Sequence, residues 1–120
     1  MKKQIVVIKN TNIAEVIDPG VIISSEQDAL DLMGNTNEEY IIISDFNLKP
    51  EFFDLSTKLA GVILQKFTNY RVKLAIVGDF TKYPSQTLKD FIYESNKFGN
   101  YLFVSSKQEA LDIWEKHLPN

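Results

Sequence analysis

The chain has 120 residues, with 13 lysines and arginines against 16 aspartates and glutamates, a formal net charge of −3. A chain of this length fits one domain, which buries roughly two-thirds of the surface its unfolded state exposes. The absence of cysteine excludes a disulfide framework, thiolate metal sites and cysteine nucleophiles.

Arg71 is the single arginine, and the lysines are scattered without a basic run. Readers of nucleic-acid sequence need arginine forks on a basic face, so no nucleic-acid partner is expected. The cysteine-free composition suits a reducing compartment, and a cytoplasmic location is expected. Lys2-Lys3 precedes an apolar run of only four residues, too short for the core of a signal peptide. No window reaches the length of a membrane span.

Ile5–Ile8 and the β-branched set Ile13, Val16 and Ile17 flank the polar cluster Lys9-Asn10-Thr11-Asn12, which reads as a β-hairpin. Pro19-Gly20 breaks the chain, and Val21-Ile22-Ile23 is a short apolar run. A helix is predicted from about Glu26 to Met33, with Ser25 as its N-cap and Gly34 at its end. Tyr40–Ile43 is continuously apolar, as in a strand covered on both faces.

A long helix is predicted from about Phe52 to Thr68 on the spacing of Phe53, Ala60, Ile63 and Phe67. Val72–Val77 is the next buried strand, ending at Gly78-Asp79. Ser85 opens a third helix with the stripe Leu88, Phe91, Ile92 and Ser95, and Gly99 lies past its end. Tyr101–Val104 is a further strand, followed by a final helix bearing Ala110, Leu111, Trp114 and Leu118. The alternation predicts a single α/β domain over 1–120: a mixed, mostly parallel sheet with an N-terminal hairpin and about four helices.

VIISSEQDALDLM (21–33) and LFVSSKQEALDIW (102–114) repeat one pattern at an offset of 81 residues. A strand feeding a helix needs a hydroxyl cap, and Ser106 with Glu109 forms a capping-box sequence. Shared capping chemistry explains the echo, and an old duplication is the alternative.

No catalytic signature stands out. His117 is the only histidine, at the end of the last helix, and the phosphate-binding glycine motifs are absent. Neither a metal site nor a cofactor is expected.

The candidate ligand or partner site is positional, because open α/β sheets bind at the carboxyl ends of their strands. Asp45 and Asn47 follow one strand, Asp79, Phe80, Thr81, Lys82 and Tyr83 a second, and Ser105 and Ser106 a third. In the predicted long helix, Phe52 and Phe53 cannot both face the core, because adjacent residues point about 100° apart. Gly61 would permit close approach. Phe52 to Gly61 and the loop after Val77 are therefore expected to share an interaction surface. The rival is ordinary packing within the monomer.

The segments DFNLKPEFFDLSTKLAGVILQKFTNYRVKLAIVGDF (45–80) and LKDFIYESNKFG (88–99) resemble the bacterial family catalogued as domain of unknown function 4180. That family carries no activity to transfer. The order of elements is similar to that of STAS domains and their SpoIIAA-like relatives, which are mostly non-catalytic regulators or ligand-binding modules. Some carry a phosphorylated serine in an Asp-Ser-Ser-Gly motif before the second helix. The stretch here is Phe53-Asp54-Leu55-Ser56-Thr57, in which Asp54 matches the aspartate and the Ser-Gly pair is missing. The resemblance marks Asp54, Ser56 and Thr57 as candidates.

Two readings of function stand. One is a non-catalytic regulatory or interaction module, binding an unknown protein partner or a second copy of itself. The other is a small-molecule-binding protein or enzyme that uses the strand-end rim.

Overall fold

The computed structural model describes residues 1–119. Strands β1 (Lys3–Ile8) and β2 (Thr11–Val16) form the expected antiparallel hairpin. Its turn is only Lys9-Asn10, both at positive φ (45° and 63°), as a tight two-residue hairpin requires. Three parallel strands follow: β3 (Tyr40–Ser44), β4 (Lys73–Val77) and β5 (Tyr101–Val104). β2 joins β3 in parallel, so the five strands lie in chain order, β1-β2-β3-β4-β5.

The helices are α1 (Glu26–Thr36), α2 (Leu59–Asn69), α3 (Gln86–Phe98) and α4 (Lys107–His117). Right-handed crossovers between sequential neighbours place α1, α2 and α3 on the same face. There Ala29, Leu32, Ile63, Phe67 and Leu88 pack on Val16, Ile41, Ile43, Leu74, Ile76 and Phe103. α4 covers the opposite face, where Ala110, Leu111 and Trp114 meet Ile13, Ile42, Ala75 and Leu102. The alternating strand residues thus feed two separate cores.

Helix ends depart from the sequence-based expectations. α1 runs through Gly34 to Thr36, because Asn37 supplies the left-handed cap (φ 51°) and its N–H reaches Met33 O at 2.9 Å. The predicted helix over 52–68 begins only at Leu59. Before it lie short 3-10 turns at Pro50–Phe53 and Leu55–Thr57, and Lys58 at φ 65° cannot continue a helix. Since this stretch is not a regular helix, Phe52 and Phe53 both turn inward and are buried. Val21–Ile23 makes only an isolated bridge, Ile23 to Leu48.

The internal echo has a matching geometry. Ser25 Oγ accepts from Asp28 N at 3.3 Å, and Ser106 Oγ from Glu109 N at 3.1 Å. In both copies the acidic side chain reaches the N–H before the cap: Ser24 N to Asp28 Oδ2, and Ser105 N to Glu109 Oε1, each 2.8 Å. The following Gln27–Asp31 and Gln108–Asp112 pairs are repeated as well, at 2.9 and 2.8 Å.

Candidate functional site

The strand-end residues named from sequence do share one rim, because β3, β4 and β5 are neighbours in register: Ser44 lies opposite Val77, and Val77 opposite Val104. Individually they divide into structural groups and a smaller exposed set.

Asp45 is 8% exposed and accepts from Lys82 Nζ at 2.7 Å. The Lys82 ammonium is held above its usual range chiefly by this hydrogen bond. It also lies 5.3 Å from the centre of the Tyr83 ring, whose phenol burial pushes up. Asn47 is fully buried and structural. Its Oδ1 accepts from Ser44 N at 2.8 Å, and its Nδ2 donates to Asp18 O at 2.9 Å and Gly20 O at 2.7 Å. Its own carbonyl accepts from Ile22 N and Ile23 N. Asn47 therefore clamps the 18–23 connection and has no free group to offer a ligand.

Asp79 makes a tight side-chain turn, accepting from Thr81 N at 3.1 Å and Thr81 Oγ1 at 2.5 Å. The Thr81 hydroxyl and amide hold the Asp79 carboxyl below the usual carboxylate range, with Lys82 adding to the effect. Asp54 repeats this geometry at the same backbone angles (φ −100°, ψ 98°), accepting from Ser56 N at 3.1 Å and Ser56 Oγ at 2.6 Å. Thr57 Oγ1 lies 2.7 Å from Asp54 O and 2.8 Å from Glu51 O, and accepts from Leu59 N at 3.3 Å. A phosphate on Ser56 would sit against the Asp54 carboxylate and break the turn.

The two phenylalanines expected on the surface from Phe52 to Gly61 turn inward instead. Phe52 stacks edge-on to Phe53 (5.0 Å), Phe53 lies flat on Tyr83 (4.7 Å), and Phe80 packs on Phe103 (5.4 Å). This stack joins the two predicted segments inside the monomer. Phe52 is buried, and Phe80 and Tyr83 are half-buried. Gly61 is not a close-approach site either, because a methyl group there would meet no atom within 4 Å. Of the other aromatics, Phe46, Tyr70, Tyr93 and Phe98 are exposed.

One concavity is open at this rim. The chain leaves β4 toward α3 on one face and leaves β5 toward α4 on the other. Where neighbouring connections diverge, a crevice opens beyond the strand ends. It measures about 560 Å³. Phe80, Ile92, Phe103 and Val104 form its apolar floor, and Asp79, Thr81, Lys89 and Glu109 stand around it. Lys89, Ile92 and Glu109 are absent from the sequence-derived set. They come from helices on opposite faces, and no spacing in the chain reveals that α4 alone crosses over. Among the described residues, no group of three or more His, Cys, Asp or Glu side chains gathers as a metal centre.

The sequence profile of a family described as Domain of unknown function (DUF4180) matches residues 8–113. The chain belongs to this family. The DUF4180 match runs from the end of β1 into α4, so it covers the rim and most of both cores but not Trp114. No curated protein and no solved structure matches the chain. Among the described residues of this DUF4180 chain, no helix is long and apolar enough to cross a membrane.

Proposed function

We propose that the protein is a non-catalytic regulatory or interaction module whose partner engages the crevice between the β4 and β5 strand ends. One observation carries this reading: the carboxylates at the rim are already engaged by the protein itself. Asp45 holds Lys82, Asp79 holds Thr81, and Glu109 holds the Ser105 amide and hydroxyl. A general acid or base needs a group free to meet a substrate proton, and these groups instead shape the loops. The crevice then presents an apolar floor with a polar border, the composition of a recognition surface. The order hairpin, helix, strand, helix, strand, helix, strand, helix supports the STAS-like comparison as an analogy of plan. The cysteine-free composition supports a cytoplasmic setting.

The test is a photo-crosslinking amino acid placed at Thr81 or Lys89 in cells, with Gln65 on α2 as control. The reading expects a discrete protein adduct from the crevice positions alone, diminished by Phe80→Ala. Adducts of equal yield from Gln65 would overturn it.

A second reading rests on size. About 560 Å³ falls within the range of small-molecule sites. Saturable thermal stabilisation by a nucleotide or small acid, abolished by Phe80→Ala, would favour that reading.

A further inference from the structure

The two edges of the sheet are finished differently. At the β5 edge the Asn96 side chain takes the place of a neighbouring strand: Phe103 N donates to Asn96 Oδ1 at 2.8 Å, and Asn96 Nδ2 donates to Phe103 O at 3.1 Å. A single amide thereby satisfies both outward groups of Phe103 and blocks that edge. At the β1 edge, no described residue plays this part.

The hairpin register fixes which groups of β1 face outward. Ile17 N donates to Lys2 O at 2.9 Å, so Lys2 and Ile17 form a hydrogen-bonded pair. Alternation along the antiparallel ladder then turns the peptide groups of Gln4, Val6 and Ile8 toward β2. Those of Lys3, Ile5 and Val7 face out. Ile5 and Val7 are also β-branched and 47% and 59% exposed. Their side chains lie on the α1 side of the sheet, opposite the face on which Val6 and Ile8 pack.

Lysines commonly guard such an edge by charge. Here two of them are drawn aside: Lys3 Nζ donates to Asn35 O at the end of α1, and Lys9 Nζ to Glu115 O of α4 at 3.1 Å. The outward backbone groups between them are left open.

The geometry points to an occupant of this edge: β1 of a second copy of the chain, antiparallel about a two-fold axis at Ile5. The outward groups at 3, 5 and 7 are symmetric about residue 5, so the strand is complementary to itself. In this register Ile5 faces Ile5 of the second copy, Lys3 faces Val7, and Gln4 faces Val6. No like charges are opposed. A shift that sets Ile5 against Val7 brings Lys3 opposite Lys9, which is unfavourable. The product is a continuous ten-stranded sheet, with the β4/β5 crevice of each copy at its far end and unobstructed.

The chain lacks cysteine, which makes the register directly testable. A hydrogen-bonded antiparallel pair has Cα atoms about 5.5 Å apart, within the span of a disulfide. Under mild oxidation Ile5→Cys should form a covalent dimer rapidly, while Lys89→Cys, near the opposite edge, should not. Light scattering across micromolar to millimolar chain should show twice the monomer mass at the upper end. Ile5→Lys, at an exposed side chain, should abolish the dimer with an unchanged unfolding midpoint. A monomer at every concentration, a dimer that survives Ile5→Lys, or equal cross-linking at positions 5 and 89 would overturn the proposal. Binding of β1 to a different protein with no self-association would also overturn it.

Discussion

The Cα of Gly78 lies directly against the Asp45 carboxylate: a Cβ on Gly78 would stand 2.6 Å from Asp45 Cγ and 2.8 Å from Oδ2. The two strand ends can therefore close only because residue 78 has no side chain. The same closeness aims Asp45 at Lys82, four residues farther along the chain. Gly78 N also donates to Val104 O at 2.9 Å, tying the end of β4 to β5.

Gly78→Ala should destabilise the protein by ~1–3 kcal/mol, the usual cost of forcing an extra carbon into a packed site. Asp45→Ala removes two of the three clashing atoms and leaves its Cβ at 2.9 Å. The double variant should therefore lose less than the sum of the single losses. Urea denaturation of the four-member cycle checks this, and simple additivity would show that the contact is not what constrains residue 78.

The Asp79 carboxyl should titrate below its ordinary value of 3.8. A carboxyl whose folded value is depressed adds stability above its unfolded value, and that stability is lost as pH falls through the folded one. The window is thus below pH 3.8. Carbon-detected NMR titration of Asp79 should show the depressed midpoint, and Thr81→Val should raise it, because the threonine hydroxyl is the leading cause.

Ser106→Ala and Ser25→Ala should each cost ~0.5–2 kcal/mol through loss of a helix cap. The two caps serve helices on opposite faces and share no hydrogen-bond partner, so the losses should add. Thermal or denaturant unfolding measures both, and an unchanged midpoint in either variant would remove its cap from the account.

Asn47→Ala should cost at least ~2 kcal/mol, because it leaves the Ser44 amide and the Asp18 and Gly20 carbonyls without their partner. Hydrogen exchange at Ser44 should accelerate along with the drop in denaturant midpoint. A variant as stable as the parent would return Asn47 to the set of free rim residues.

The parallel strands are legible in the sequence because Tyr40–Ile43, Leu74–Val77 and Tyr101–Val104 are continuous apolar runs, each separated from the next by a helical stripe. The caps at Ser25, Ser85 and Ser106 are legible because a hydroxyl there has one local task, which all three perform. The start of α2 was not. Apolar spacing around Phe53 mimics a helix; Asp54 can be read as a cap inside it, but the left-handed Lys58 that breaks it appears only in three dimensions. The rim was half legible: Asp79 and Thr81 were named, but Lys89 joins them from α3 and Glu109 only through the crossover of α4. Nothing local distinguishes Asn47, a buried clamp, from an exposed loop asparagine.

The strand order has a consequence for how the chain assembles. Every strand pairs with its predecessor in sequence, so each strand emerging from the ribosome meets an edge already made; the hairpin closes a tight turn, and each parallel pairing spans a single helical crossover. That order favours stepwise growth from the hairpin, with contacts less distant than in a rearranged sheet. α4 breaks the pattern: until it docks, Ile13, Ile42, Ala75 and Leu102 form a bare apolar plane. The second core is therefore the last part of the molecule to close, and its closure waits on the docking of α4.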